Sequence, residues 1–131
     1  MLAQSFKSAA ELGISEGQLD ALRKTLVLLE TGKLVHVPEG EIGLRLRVRP
    51  KFTGHFNMAH SYISAECGTV ACIKGTAELI GNVDLSPSEI PEELMNLFYA
   101  WGGGDPTTSQ AATALRSYLT TGYARWDLAV A

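Results

Sequence analysis

The spacing of leucines near the N-terminus predicts a long amphipathic helix. The apolar stripe consists of Leu19, Leu22, Leu26 and Leu29. Residues that recur every three or four positions lie on one face of an α-helix. Ser15 and Gln18 precede the stripe as a capping box, in which each side chain satisfies a free backbone amide. Gly32 follows the stripe and can close the helix in a left-handed turn.

From Leu44 to Arg49 the pattern changes, and apolar and basic residues alternate strictly. Such alternation is typical of a half-buried β-strand. An earlier apolar run over 34–37 stops at Pro38, and the glycine-containing stretch 39–43 separates the two runs. We therefore predict one β-hairpin, which must pack on helices or pair with another chain because a lone hairpin is marginally stable.

Local start and stop signals predict further helices downstream. They are a short helix capped by Asn57, a helix over 69–80, a helix that begins at Pro91, and a helix opened by Thr107. The glycine run 102–104 reads as a connection between helices. The tail from Tyr123 to Ala131 is expected to dock Trp126 on the core. The pattern predicts a mostly α chain, α+β with one small hairpin, in which four to five helices form a compact single domain over residues 1–131.

Composition fits this picture. The chain has 131 residues, of which 46% are hydrophobic and 19% charged, as in ordinary globular domains. No apolar run approaches the ~20 residues that a membrane span needs, and the N-terminus has no sustained apolar block of the secretory kind. Two cysteines cannot form a disulfide framework, so we expect a cytoplasmic protein with free thiols and no membrane partner.

Charge is distributed unevenly along the chain. The net charge is −3, yet residues 33–51 carry an excess of three positive charges, and residues 75–115 contain no lysine or arginine. On a strand, Arg45, Arg47 and Arg49 share one face at ~7 Å spacing. This basic face can meet phosphates, an acidic partner or the chain's own acidic surface, or it can be a solvated edge that resists aggregation. Phe52 and Phe56 could add base stacking to a nucleic-acid contact.

The stretch ECGTVACIKG, residues 66–75, raises the question of a reactive thiol. Cys67 precedes a predicted helix, whose dipole and free amides lower a thiol pKa, and His55 or His60 could serve as its base. Against this, the neighbouring Glu66 would raise the pKa, and small buried cysteines are common packing residues. A catalytic pair of Cys67 with His60 therefore remains the enzymatic alternative.

The same region contains a candidate metal-ligand set: His55, His60, Cys67 and Cys72. Zinc accepts such ligands, but structural zinc sites usually contain close Cys-x-x-Cys pairs. Two helical residues five apart differ by about 140° around the axis, so these cysteines could not share an ion on one helix. We expect no metal and no cofactor.

Close packing explains more of the residues in this stretch. On a helix, one stripe would contain Gly68, Cys72, Gly75 and Thr76, and small residues let a neighbouring helix approach. The stretch therefore favours a tightly packed helix start over a reactive site.

Three stretches carry a resemblance: FNM at 56–58, CGTVACIKGTAE at 67–78 and SQAATALRSYLTTGYARW at 109–126. They resemble a set of small bacterial and phage-type proteins for which no activity is known to us, so the resemblance implies no function. The cysteine stretch also weakly resembles the Cys-Gly-Ser-Cys signature of papain-like proteases. The cysteine spacing differs, the chain is short, and all three histidines precede the cysteines, so that relationship is rejected.

Taken together, the patterns indicate a non-enzymatic cytoplasmic protein-interaction module that self-associates or binds a protein partner. Its candidate interaction residues are Arg45, Arg47 and Arg49. One alternative is a cysteine-dependent enzyme that uses Cys67 with His60. The other is a weak nucleic-acid or polyanion binder that uses the three arginines, and the net charge of −3 works against it.

Overall fold

The computed structural model describes residues 6–102 and 104–129, and these form an α+β fold. The helices in this part of the chain are α1 (Ala9–Leu12), α2 (Glu16–Glu30), α3 (Ile73–Gly81), α4 (Glu92–Tyr99), α5 (Thr108–Thr121) and α6 (Trp126–Ala129). The strands are β1 (Val35–His36), β2 (His55–Phe56), β3 (Tyr62–Ala65) and β4 (Gly68–Ala71). Two 3-10 turns cover Glu39–Glu41 and Pro87–Glu89. The expectation of an α+β chain is correct, but this part of the chain has six helices rather than four to five, and the sheet is larger than one minor hairpin.

The long helices begin where the sequence predicts. In α2, the Gln18 amide donates to Ser15 Oγ at 3.0 Å and the Ser15 amide donates to the Gln18 side chain at 2.9 Å. Thr107 forms the equivalent capping box at the start of α5. Gly32 follows α2 with a φ of +72° and Gly122 ends α5 with a φ of +85°, a conformation that costs glycine little.

The main core lies between α2, α3 and α5. Leu22, Leu26 and Leu115 are almost fully buried there, together with Phe56 from the sheet. The helices α2 and α3 pack closely at Gly81 and Ala21. A Cβ added to Gly81 would lie only 2.5 Å from the Ala21 Cβ. Burying these side chains is the principal stabilising contribution to the fold.

The tail closes the core from the C-terminal side. Trp126 is buried and its indole Nε1 donates to the Leu97 carbonyl of α4 at 3.0 Å, which confirms the expected docking. Residues 130 and 131 of that tail, and Gly103 of the glycine run, lie outside the described residues. Within the described ranges, no helix has the length and apolar content that crossing a bilayer requires.

The sheet has the strand order β1-β2-β4-β3. The strand β2 is parallel to both β1 and β4, whereas β3 and β4 form an antiparallel hairpin. The predicted hairpin between 34–37 and 44–49 is therefore wrong. The run at 34–37 instead contributes β1, which pairs with β2. This pairing joins residues far apart in sequence, and no local turn signal marks it.

The stretch ECGTVACIKG spans two elements. Residues 68–71 form β4, Cys72 is the N-cap, and α3 begins only at Ile73, so the helix predicted over 69–80 is correct from 73 onward. The short helix expected after Asn57 is wrong, because the Asn57 side chain caps a turn before β3. Close packing does occur at Gly75, but against the backbone before β3 and not against the predicted neighbouring helix: an added Cβ would lie 1.3 Å from the Ser61 carbonyl oxygen.

A second, smaller cluster covers the other face of the sheet. It consists of Val37, Ile42, Ala65 and Val70. Strand register puts Val70 and Ala65 on the face opposite to Phe56, because successive side chains alternate across a sheet. The connection from β1 to β2 passes over this face, and Ile42 is the residue that anchors it.

Candidate interaction surface

The arginine stripe lies in the connection between β1 and β2. We call residues 44–49, with the sequence LRLRVR, the Leu-Arg segment. Its start is fixed by the buried side chain of Ile42 and by Gly43, whose φ is +82°. The Glu66 carboxylate accepts the Leu44 amide at 2.8 Å, and an added Cβ on Gly43 would lie 2.8 Å from that carboxylate. The turn therefore needs glycine at this position.

One bridge joins the Leu-Arg segment to the outer edge of β3. Arg45 lies opposite Ala65 in antiparallel register. The Leu46 amide donates to the Ser64 carbonyl at 2.9 Å, and the Glu66 amide donates to the Leu44 carbonyl at 3.0 Å. The segment then bends at Val48, whose carbonyl accepts the Ser64 hydroxyl at 2.9 Å. The predicted strand over 44–49 is thus reduced to a single bridge.

Both sides of the Leu-Arg segment are exposed. Leu44 is 71% exposed, Leu46 46% and Val48 60%, so the apolar side that alternation predicted to be buried faces solvent. Arg45, Arg47 and Arg49 are exposed as well. The prediction of a half-buried strand is wrong because no described element packs over the leucine side.

The breaker residues that surround the segment were the signal against a regular strand. They are Pro38, Gly40, Gly43, Pro50 and Gly54. Proline and glycine at this density mark a loop, and a loop that exposes apolar side chains indicates a binding surface. The sequence analysis singled out the arginines and missed the leucines between them.

The charges of the segment are uncompensated within the described ranges. None of the ion pairs found there includes Arg45, Arg47 or Arg49. Arg49 borders a cleft of about 480 Å³ that also contains Glu78 and Asp84, but it forms an ion pair with neither. The Glu78 carboxylate already accepts Lys74 Nζ and the Leu85 amide, each at 2.9 Å. The segment therefore presents free positive charge to solvent.

Apolar side chains outside the segment are exposed as well. Phe52 is 40% exposed and, with Val27 of α2 and Ile80 of α3, lines a groove of about 390 Å³. Val27 is itself 58% exposed. The groove is thus a second exposed apolar site, formed by Phe52 and the two helices.

The histidines and cysteines divide into two groups at opposite ends of the β3–β4 hairpin. Cys67 lies in the turn between the strands. The His55 ring lies close to the next residue, Gly68, because a Cβ added to Gly68 would be 2.9 Å from the ring. At the other end, the Cys72 amide donates to the His60 carbonyl at 2.7 Å. At about 3.3 Å per residue, the backbones of Cys67 and His60 are roughly 16 Å apart. The proposed catalytic pair is therefore not brought together.

The four candidate metal ligands are separated by the same geometry. Within the described part of the chain, no group of three or more histidine, cysteine, aspartate or glutamate side chains is arranged to hold a metal ion. The imidazole of His60 instead pairs with Glu39 at 2.9 Å, and that of His36 pairs with Asp105 at 2.9 Å. These contacts fasten loops to the sheet.

Cys72 has a packing role. Its side chain is buried and caps α3, where its Sγ accepts the Gly75 amide at 3.4 Å. Burial raises the pKa of the Cys72 thiol, since a thiolate is poorly solvated there. Cys72 therefore behaves as a small apolar residue, as the packing interpretation predicts.

The ring of His55 is held in place by Thr53. The Thr53 hydroxyl accepts the Thr69 amide at 2.9 Å, donates to the Thr69 carbonyl at 3.0 Å and lies 2.7 Å from His55 Nδ1. This arrangement fixes the ring over Gly68, and sequence reasoning did not foresee it.

Comparison with known proteins found no matching protein family, no matching curated protein and no matching solved structure.

Proposed function

We propose that this chain is a non-enzymatic protein-interaction module of the cytoplasm that binds through the Leu-Arg segment. The observation that carries the proposal is that this segment leaves both its apolar and its basic side chains in solvent. Exposed apolar side chains next to one another mark interaction sites, and arginine is enriched in protein-binding surfaces. The two free cysteines agree with a reducing compartment.

A nucleic-acid contact accounts for less of the surface. Phosphates would engage Arg45, Arg47 and Arg49 but would leave Leu44 and Leu46 in water. Of the two aromatic residues considered for base stacking, Phe56 is fully buried, so only Phe52 remains. The net charge of −3 opposes polyanion binding further.

The enzymatic alternative lacks an assembled site. Cys67 and His60 lie at opposite ends of a hairpin, and Cys72 is buried. The histidine beside the Cys67 turn is His55, whose Nδ1 is committed to Thr53. A nucleophile needs its base within hydrogen-bond reach, and the proposed pair does not provide one.

Photo-crosslinking in living cells tests the proposal. A benzophenone amino acid replaces Leu46 in the full chain, and a second variant has it at Thr113, an exposed position on α5. We expect a discrete protein adduct from position 46 and none from position 113. Mass spectrometry of the adduct then distinguishes a second copy of this chain from another protein.

Two results would overturn the proposal. One is an adduct pattern at position 46 no different from that at position 113. The other is a nucleic-acid adduct at position 46, which would put polyanion binding first. Thiol alkylation against pH provides a separate check on the enzyme, since an activated Cys67 would react with an apparent pKa well below the ordinary ~8.5.

A further inference from the structure

The Leu-Arg segment presents an unpaired β edge. At the bridge, the Leu44 carbonyl and the Leu46 amide point toward β3 and bond to it. The backbone groups of Arg45 lie between them and point away, as the antiparallel pattern requires. No residue in the described ranges bonds to the backbone amide or carbonyl of Arg45 or Arg47. Such an edge is a template for an additional strand.

A strand added at this edge would meet two chemically different sides. Arg45 lies on the face of the sheet that carries Ala65, whereas Leu44 and Leu46 lie on the face that carries Ser64. The side chains of an incoming strand alternate in the same way. Acidic side chains would then lie opposite the arginines and apolar side chains opposite the leucines, and each favourable cross-strand pair adds to affinity.

A second copy of the segment does not fit this edge. In a two-fold antiparallel pair, residues directly opposite each other lie on one face, and the symmetry keeps equivalent residues on the same face. Each arginine of LRLRVR would therefore lie opposite another arginine. Like charges in that position are destabilising.

A flat anionic surface fits poorly too. At the bridge, Leu44 and Leu46 project to one side and Arg45 to the other, so a membrane or a nucleic-acid backbone that approaches one side leaves the other in water. An added strand contacts both sides at once.

We propose that the edge of the Leu-Arg segment binds an extended segment of another protein in which acidic and apolar residues alternate, by antiparallel strand addition. This proposal rests on the proposed function and specifies its partner. Backbone hydrogen bonds to Arg45 and Arg47 provide the register, and the arginine side chains select the acidic residues.

Fluorescence anisotropy with synthetic peptides tests the proposal on the full chain. The probe is a labelled hexapeptide that alternates glutamate and valine. Its controls are a hexapeptide of equal composition with the glutamates in one block, an alternating lysine–valine peptide, and the probe with N-methylated backbone amides. We expect the alternating acidic probe to bind about tenfold more tightly than the block peptide, because only alternation matches both sides of the segment. The lysine and methylated peptides should not bind.

Matched variants locate the contact. Arg47→Glu should weaken probe binding at least about tenfold, since it replaces a favourable charge pair by a repulsive one. Lys33→Glu changes the charge equally at an exposed position outside the segment and should leave binding within about twofold of wild type. Circular dichroism of both variants establishes that they fold.

The outcomes separate this proposal from the broader one. Equal affinity for the alternating and block peptides, or an unchanged affinity of the methylated probe, would show attraction by charge alone and overturn strand addition. Absence of probe binding alongside a protein adduct at position 46 would also overturn this proposal while leaving the interaction function standing. If the probe does not bind and position 46 gives no adduct, both the strand-addition proposal and the interaction function are wrong.

Discussion

Gly75 is the residue at which the fold tolerates a side chain least. An alanine Cβ there would lie 1.3 Å from the Ser61 carbonyl oxygen and 2.4 Å from its carbon. Replacing a glycine inside a helix by alanine normally makes the protein more stable by about 1 kcal/mol. Here the backbone before β3 would have to move, so we expect Gly75→Ala to lower the free energy of unfolding by at least about 2 kcal/mol. Urea denaturation measures the change.

Gly40 provides the matched control. It has open space around its Cα, with no atom within 4 Å of an added Cβ. Gly40→Ala should therefore change the free energy of unfolding by no more than about 0.5 kcal/mol. A Gly75→Ala variant as stable as Gly40→Ala would contradict the packing of α3 against the start of the hairpin.

Tyr118 carries a buried hydroxyl without a hydrogen-bond partner in the described ranges. Burial, with a contribution from the Glu93 carboxylate, raises its pKa from 10.0 to about 12. Below pH 10 the phenol is protonated in both the folded and the unfolded chain. Between pH 10 and about 12 only the unfolded chain loses the proton, so the stability that Tyr118 contributes falls as the pH rises through this window.

Replacing Tyr118 by phenylalanine tests this reasoning. At neutral pH we expect Tyr118→Phe to be as stable as wild type or more stable by up to about 1 kcal/mol, because it removes an unsatisfied hydroxyl. Its stability should also decline less steeply above pH 10 in urea titrations. Tyr123→Phe, at a position 58% exposed, should keep the wild-type slope. Loss of stability in Tyr118→Phe at neutral pH would mean that the hydroxyl is satisfied in solution.

At the scale of elements, the connection between β1 and β2 buries two apolar side chains, Val37 beside β1 and Ile42 before the Leu-Arg segment. Ile42 is 5% exposed and packs in the smaller cluster, whereas Leu46 is 46% exposed. We expect Ile42→Ala to cost about 2 kcal/mol or more and Leu46→Ala about 0.5 kcal/mol or less. Thermal or urea denaturation compares the two. Similar losses of stability in the two variants would mean that Leu46 is buried, as in the half-buried strand that the alternation predicts.

The long helices could be predicted because their signals are local. Ser15 with Gln18 and Thr107 with Gln110 form their capping boxes within four residues, and the leucine stripe of α2 needs no distant partner to be recognised. The same holds for the docking of Trp126, a large apolar side chain in a short tail.

The sheet could not be predicted because its strands pair residues that are far apart in the sequence. Residues 68–71 continue the apolar spacing of α3 toward its N-terminus, yet they lie between β2 and β3 and form a strand. Tertiary context overrides such a weak local preference. The Leu-Arg segment shows the opposite case. Its alternation is strong, but the chain supplies it with only one bridge, to Ala65. The exposed leucines of the candidate surface follow from that missing partner, and the prolines and glycines around the segment were the local sign of it.

At the scale of the whole molecule, the two cores should differ in stability. The main core unites α2, α3 and α5, whereas the smaller cluster rests on four buried side chains beneath one connection. Native-state hydrogen exchange should therefore show the Leu46 and Glu66 amides exchanging by local opening at a lower free energy than the Leu22 and Leu115 amides. Equal protection of all four amides would mean that the connection opens only when the whole chain unfolds.

The exposure of the Leu-Arg segment also makes it a natural cleavage site for trypsin-like proteases, which cut after arginine. Three arginines lie in six residues of irregular, solvent-facing backbone, and such loops are where nicking concentrates. A cut after Arg47 need not separate the molecule. The first piece would keep β1 and α2, which pair with β2 and pack on α3 in the second piece. A nicked chain would thus remain assembled while losing the continuous edge that the proposed strand addition requires. Under that proposal, proteolysis at this loop would abolish binding without unfolding the protein.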